Sequence, residues 1–418
     1  MSGPNDLSRR HFLAGSAATA AALLSPAGVF AQGSNTIKVG VIGCGGRGSG
    51  AAVDAANADP GVVIWAMGDL FPDRLASSRE ALRKNLNDRY QVPDGRAFTG
   101  WRAYEGVLGS GVDYVILATP PGFRPMHLKA AIEARKHVFM EKPVATDAPG
   151  IREVFAASDR AKERGLNIVA GTQRRHDFAY REAMKRIHEG QMGDVVACYA
   201  YWNQGALWSV PKSASMTDME WQLRNWLYFA WLSGDHIVEQ HVHNLDVCNW
   251  AMGKHPAKAV SLAGRQVRTE PVFGHIFDHF ATEYEYDNGV KLVSLCRQID
   301  NTAGRVSEHL VGTKGTSNGN TYIRGEKAWR WEGDRPNPYM LEHRNLVEAI
   351  RGKGYINEGR QVAESTLTAI MGRMAAYTGA EISWEQALES QEKLIPETLG
   401  FGPLEVPPVA MPGKTKFV

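Results

Sequence analysis

The chain has 418 residues, room for two or three domains, and its 44% hydrophobic, 22% charged and 9% aromatic make-up is that of a globular protein. Lysine plus arginine is 47 against 45 acidic residues, a formal charge of +2, and no dense basic run occurs, which argues against nucleic acid as a partner. Four widely separated cysteines, Cys44, Cys198, Cys248 and Cys296, read as packed thiols rather than a disulfide or zinc framework.

At the N-terminus Arg9 and Arg10 precede a charge-free stretch, 12–31, that is interrupted at Pro26 and ends in Val29-Phe30-Ala31. Paired arginines before a mildly apolar segment with a small-residue cleavage site resemble a twin-arginine export signal. The stretch is long enough to span a membrane, but the Pro26 break favours cleavage over stable insertion. Such a route carries folded proteins, so a cofactor would have to travel inside the protein and stay there.

Residues 36–42 (TIKVGVI) read as a buried parallel strand. Gly43-Cys44-Gly45-Gly46-Arg47-Gly48 follows, a GxGxxG, and 49–58 is alanine-rich and helix-compatible. In a pyrophosphate loop Gly43 makes the turn, Gly45 lets the backbone approach the phosphates, Gly48 lets helix pack on strand, and Gly46 and Arg47 complete the cradle. A second strand, 62–67, leads to Asp69, about 20 residues on, where a carboxylate holds ribose hydroxyls. Its charge would repel a 2′-phosphate, and Leu70 and Phe71 follow, so NAD is expected rather than NADP.

The βα alternation continues with a strand at 112–118 ending in Thr119-Pro120-Pro121 and a helix at 127–134. A strand at 137–140 then runs into Glu141-Lys142-Pro143, followed by a helix at 148–164 and a strand at 167–171. This is a doubly wound parallel sheet of Rossmann type. Thr119, Pro120, Glu141, Lys142 and Gln173 lie at carboxyl ends of strands, where ligands bind.

The glycine turn, the strand-end Asp69, Thr119-Pro120-Pro121 and Glu141-Lys142-Pro143 together resemble the Gfo/Idh/MocA oxidoreductases. The resemblance implies NAD as cofactor, a cis Lys142–Pro143 peptide, and Lys142 beside the nicotinamide and the reacting hydroxyl. Partial desolvation next to a positive ring is expected to lower the Lys142 pKa and suit it to proton relay.

Beyond Gly171 the pattern becomes α+β. A helix at 178–190 precedes strand-like runs at 195–202, 259–268, 279–287, 290–297 and 306–312, with a hairpin signal at Asp287-Asn288-Gly289. They read as a large, open, mainly antiparallel sheet. The family resemblance implies that one face makes contacts in a homo-oligomer. The expected divisions are a signal at 1–31, a dinucleotide domain at 36–173, a substrate and oligomerisation domain at 174–360, and at 361–418 a returning helix plus arm. The helix, 364–378, reads as amphipathic. Four prolines in 401–418 suggest an extended arm reaching a partner subunit.

Between the strands, Glu239, His243 and Asp246 fall on the family's Asp-x-Gly-x-His-x-x-Asp pattern, with Glu for the first Asp and His241 for the glycine. Steps of four and three put the three on one helical face. The resemblance gives His243 the acid/base role, lets Glu239 orient it or bind a substrate hydroxyl, and makes Asp246 a support. His-x-His could bind metal on a strand, but on a helix the two diverge by about 200°, and no metal is assigned. Gln173, Arg174, Arg175, Trp202, Asn203, Arg224 and Asn225, with His241 and Asp246, are the candidates to line a groove for a polyhydroxylated ring.

The expected activity is NAD(H)-dependent oxidation or reduction of a carbohydrate or cyclitol hydroxyl, with a bound, recycled NAD. An alternative is a glycoside hydrolase or lyase that oxidises C3 transiently, eliminates, hydrates and re-reduces. A non-catalytic sugar- or nucleotide-binding protein is the third reading, against which Lys142 and His243 occur together.

Overall fold

The computed structural model describes residues 35–418; the export signal at 1–31 lies outside the described residues. Six parallel strands form the first sheet: β1 (Ile37–Ile42), β2 (Val62–Asp69), β3 (Ala97–Thr99), β4 (Tyr114–Leu117), β5 (His137–Met140) and β6 (Ile168–Ala170). Helices α1 (Gly46–Ala58), α2 (Pro72–Leu86), α3 (Ala103–Gly109), α4 (Arg124–Glu133) and α5 (Ala148–Glu163) make the crossovers. The central strands are buried along nearly their whole length, which is why they are apolar runs rather than alternating ones. In α1 the buried residues Ala51, Ala52, Ala55 and Ala56 are small, so the helix lies close on the sheet. The strand order β3-β2-β1-β4-β5-β6 reverses between β1 and β4, and a crevice opens there at the carboxyl ends.

The chain then runs through α6 (Phe178–His188), β7 (Val195–Gln204), α7 (Asp218–Arg224), α8 (Ala230–Ser233), α9 (His236–Glu239) and α10 (Val242–Met252). Strands β8 (Lys258–Gly264), β9 (His279–Glu285), β10 (Lys291–Gln298), β11 (Arg305–Gly312), β12 (Gly315–Ser317), β13 (Tyr322–Gly325) and β14 (Trp329–Arg330) follow. The last elements are α11 (Pro338–Ile350), α12 (Gly359–Thr378), β15 (Ile382–Ser383) and α13 (Trp384–Glu389). The second sheet has nine strands in the order β14-β13-β12-β11-β7-β10-β9-β8-β15, antiparallel except for the β7–β10 pair. Cys198, Ala200, Leu292 and Cys296 turn to the helix-covered face, while Tyr199, Tyr201, Val293 and Leu295 alternate to the other. On that open face Leu262 is 81% exposed. All four cysteines are buried free thiols. Among the described residues no helix is long and apolar enough to cross a membrane.

Two features differ from the sequence reading. Strand β8 stops at Gly264 rather than 268, because the Asp278 carboxylate accepts the N–H groups of Gln266, Val267 and Arg268 and draws the chain off the sheet. Helix α12 is not amphipathic: residues 365–376 are buried throughout, because it packs on α5 beside the first sheet and on β8 and α10 of the second. Its polar side chains are satisfied inside, Ser365 on Asp246 and Arg373 on the Thr146 carbonyl. The C-terminal arm folds back on its own chain. Met219 N–H donates to the Gly402 carbonyl, and the Phe401 ring packs on Phe71 and Trp101 at 6.0 and 5.4 Å.

Candidate functional site

The turn after β1 has the shape of a phosphate cradle. Gly43 has φ +96°, and a Cβ there would sit 2.6 Å from the backbone of Ala118 and Thr119 at the end of β4. A Cβ on Gly48 would fall 1.9 Å from the Gly43 carbonyl oxygen, so the helix can start this close only with glycine. At Gly45 and Gly46 the situation is reversed: an added Cβ would meet only Arg74 Nη1 at 3.6 Å, or nothing within 4 Å. Those two glycines border open space at the N-terminus of α1, where free N–H groups favour an anion. Arg74 and the glycine loop line a cavity of about 520 Å³ with Asp69, Phe71, Trp101, Thr119 and Pro120. A dinucleotide's pyrophosphate fits this cradle.

Asp69 ends β2 at the rim of that cavity. Its Oδ2 accepts Cys44 N–H at 2.6 Å and its Oδ1 accepts Phe71 N–H at 2.8 Å, and burial pushes its pKa up. The carboxylate therefore ties the glycine loop to the start of α2 and keeps further lone pairs for a ribose.

A second cavity of about 370 Å³ continues from the first, sharing Arg47, Thr119 and Trp226 with it. Glu141, Lys142, Gln173, Trp202, Glu239, His243 and Tyr339 line it. Lys142 follows β5, its peptide to Pro143 is cis, and its Nζ donates to the Glu239 carbonyl at 2.6 Å and to Glu239 Oε1 at 3.2 Å. The His243 ring stacks on Trp202 with centroids 5.9 Å apart and planes 20° from parallel. Burial, with Lys142, Arg174 and Arg47 adding positive charge nearby, holds its pKa well below the usual imidazole range. His243 is therefore a neutral ring at neutral pH, able to accept a proton.

Arg47 is clamped from several sides. Its Nε pairs with Glu141, its Nη2 lies 3.3 Å from Glu342 Oε1, and its guanidinium sits 4.8 Å from the Tyr339 ring centre. Burial lowers its pKa, but the Glu141 and Glu342 charges outweigh that and raise it. Burial, then the nearby Glu141, pushes the wholly buried Glu342 carboxyl well up.

Of the residues expected from sequence, Gly43, Gly45, Gly46, Arg47, Asp69, Thr119 and Pro120 line the first cavity, and Glu141, Lys142, Gln173, Trp202, Glu239 and His243 the second. Others lie elsewhere. Glu239 and Asp246 do not share a helical face, because the helix breaks between α9 and α10. Asp246 instead accepts Arg175, Gln361 and Ser365 at 2.7–2.9 Å, which removes both Arg175 and Asp246 from the groove. Arg174 pairs with the buried Glu308 and lies 6.0 Å from the Trp202 ring centre. Asn203 follows Trp202 along a strand and so turns to the opposite face. His241 is buried on Ser294 Oγ at 2.8 Å and burial lowers its pKa to about 3. Asn225 accepts Val210 N–H and donates to the Val272 carbonyl, both inside the protein. Arg224 pairs with Asp73 at the first cavity's rim. The sequence reading missed Tyr339; Trp226, the third residue of the Arg224-Asn225-Trp226 run, lines both cavities. Tyr339 opens α11 behind Asn337, a capping residue, and Pro338 at the first helical position, a start signal legible in sequence.

Comparison with known proteins agrees with this fold. Residues 37–171 match the Gfo/Idh/MocA oxidoreductase family, NAD-binding Rossmann fold, and 180–318 match the Gfo/Idh/MocA C-terminal domain. Residues 6–26 match the twin-arginine translocation pathway signal, which marks the chain for export. The chain is 26% identical over 232 residues to an inositol 2-dehydrogenase of Acidothermus cellulolyticus, covering 55% of this chain and 58% of that protein. It is 28% identical over 208 residues to a 2,7-anhydro-N-acetylneuraminate hydratase of Escherichia coli, covering 49% and 50%. The chain thus spans little more than half the length of these curated relatives. A scyllo-inositol dehydrogenase from Lactobacillus casei, solved with NAD(H) and scyllo-inositol, shares the fold with a TM-score of 0.63 at 19% identity, covering 84% of this chain and 99% of that one. The chain belongs to the Gfo/Idh/MocA oxidoreductase family and carries its NAD-binding domain.

Proposed function

We propose that this exported protein is an NAD(H)-dependent oxidoreductase acting on a ring hydroxyl of a carbohydrate or cyclitol, with NAD retained between turnovers. The observation that carries the reading is one cavity, continuous with the dinucleotide cleft, in which Lys142, Glu239 and His243 converge. Gly45, Gly46 and the start of α1 would hold the pyrophosphate, and Asp69 the ribose. NAD bound there supplies a hydride acceptor or donor for the carbinol carbon. Two of the Lys142 N–H groups are taken by Glu239, which leaves the third for the substrate oxygen. His243, neutral and backed by Trp202, takes the hydroxyl proton during oxidation and returns it during reduction. Trp202 and Trp226 offer flat faces to ring C–H edges, and Gln173 a side-chain amide to hydroxyls.

The likeness to a hydratase supports a second reading, in which oxidation is transient and the net reaction is elimination and hydration. The open sheet face with Tyr199, Tyr201 and Leu262 supports self-association, which light scattering of Leu262→Glu tests by a drop to monomer mass. For the oxidoreductase reading the test is NAD released on denaturing the purified protein, together with single-turnover reduction of that NAD by sugars and cyclitols. A yield of NADP, or no nucleotide and no affinity for any, overturns it.

A further inference from the structure

The cavity that fits a dinucleotide has one wall that the parallel sheet does not provide. Trp208, Val210, Leu223 and Trp226, from the long insert between β7 and α8, face it together with Leu399 of the C-terminal segment. Besides apolar packing on Phe71 and Phe123, a charged contact fastens the insert to α2 of the nucleotide domain. Arg224 Nη1 and Nη2 donate to Asp73 Oδ2 and Oδ1 at 3.0 and 3.1 Å, Glu220 holds its Nε at 2.9 Å, and its guanidinium lies 4.0 Å from the Phe71 ring centre. Asp73 is in the first turn of α2, just past Asp69.

The C-terminal segment is tied to the insert in turn. Met219 N–H donates to the Gly402 carbonyl at 3.1 Å, Gln222 Nε2 to the Leu404 carbonyl at 2.9 Å, and Leu404 N–H to Asp218 Oδ2 at 3.3 Å. Phe401 then reaches from this segment onto Phe71 and Trp101. The insert and the segment are therefore one layer, fastened to itself by hydrogen bonds. It meets the nucleotide domain at Phe71, through Arg224 and Phe401 beside the ribose carboxylate, and again where Leu394 N–H donates to Asp147 Oδ2 at 2.8 Å. The Lys142–Glu239 contact lies at the other end of the cleft.

We propose that this layer is a retaining roof for the dinucleotide, with Arg224–Asp73 and the Phe71–Phe401–Trp101 cluster as its latch, so that release of the cofactor requires the latch to open. The inference rests on the reading of the cleft as the site of a retained NAD. Asp73 and Phe401 are largely exposed, so each contact is modest alone, but the bidentate pair and the aromatic cluster meet at one ring, and contacts that must break before release act on the off-rate. Arg224 and Phe401 are positioning residues here, remote from the reacting atoms.

The experiment uses the full-length protein loaded with NAD and chased with excess isotope-labelled NAD. Arg224→Gln combined with Phe401→Ala should speed exchange by about thirtyfold or more, with one NAD per chain still bound at saturation. Asp73→Asn alone should speed it by several-fold, and Arg224→Lys should recover part of the retention. Arg360→Gln, which breaks the surface pair with Asp159, should leave exchange unchanged. Melting of the NAD-free proteins checks the fold, and Asp73→Asn serves if the double variant does not fold. Exchange within threefold of the parent in the latch variants overturns the roof. Rapid exchange in the parent, with full turnover on added NAD, overturns the roof and leaves the oxidoreductase reading standing. Failure to bind NAD at all overturns both.

Discussion

Lys142 and Glu239, 97 residues apart in the chain, meet in a two-point contact: Nζ donates at 2.6 Å to the Glu239 carbonyl and at 3.2 Å to its carboxylate. The carbonyl is free to accept because α9 ends at Glu239 and its last C=O groups have no helical partner. The end of a strand in one sheet is thus joined to the end of a helix packed on the other.

This geometry separates the two halves of the contact. Glu239→Gln keeps the carbonyl acceptor and removes only the charge, so it should retain fold and nucleotide and lower the single-turnover rate by about 10-fold. Lys142→Met removes the donor to substrate and should cost about 10²–10⁴-fold, the usual range for a positioned acid/base group. Equal and small losses, under roughly threefold in both, would take the pair out of the chemistry.

His243 makes a prediction about pH. Its imidazole is held well below the ordinary range by burial, by Lys142 and by two arginines. The proton-accepting neutral form therefore persists on the acid side, and the oxidation rate should stay level well below pH 6.5. Taking away the nearest cation raises the His243 pKa, so the acid limb of residual activity in Lys142→Met should move to higher pH. A limb that stays in place, or moves to lower pH, would assign it to another group.

How much of this was legible in the sequence depends on distance along the chain. The glycine turn, Asp69 and Glu141-Lys142-Pro143 are local signals, each a short run at a strand end whose geometry follows from the strand itself. Position 203 needed only the two-residue period to be placed away from Trp202. Asp246 was harder: the break at Gln240–His241 has no proline or glycine to mark it, and the contacts found there, Glu239 carbonyl with Lys142 and His241 with Ser294, are tertiary. Arg224 and Phe401 could not be placed at all. Their partners, Asp73, Phe71 and Trp101, are 151 or more residues away, and nothing in the aromatic insert says which surface it covers.

The buried histidines predict an acid limit to stability. Burial lowers the pKa of His127 and His241 to about 3 and of His275 to about 4, from an ordinary 6.5. Below pH 6.5 the unfolded chain binds protons that the folded chain refuses, so stability is full above that pH and falls as pH drops toward 4 and 3. Each such residue contributes a slope of up to about 1.4 kcal/mol per pH unit. Urea midpoints should decline from pH 6.5 to 4.5, and His241→Gln, which can still bond Ser294, should show a shallower decline. A midpoint flat over that range would mean these rings are protonated in the folded state.

The net reaction can be read from hydrogen isotopes. If the cavity performs simple dehydrogenation, a ring hydroxyl becomes a ketone, and the product carries the ordinary C2–H when quenched quickly. If the ketone is transient, its purpose is to acidify the neighbouring C2–H, so that a base of ordinary strength removes it and the C1 substituent leaves by elimination. Water then adds, the ketone returns to the alcohol, and no external oxidant is consumed. Glu239 is placed for that C2 proton because it borders the same cavity as His243, the residue proposed for the carbinol. A glycoside turned over in D₂O should then yield free sugar with deuterium at C2, and Glu239→Gln should slow this exchange more than it slows the reduction of bound NAD. Accumulation of a keto-sugar with C2–H retained assigns plain oxidation instead, because the transient route consumes its ketone in every cycle and ends at the free sugar.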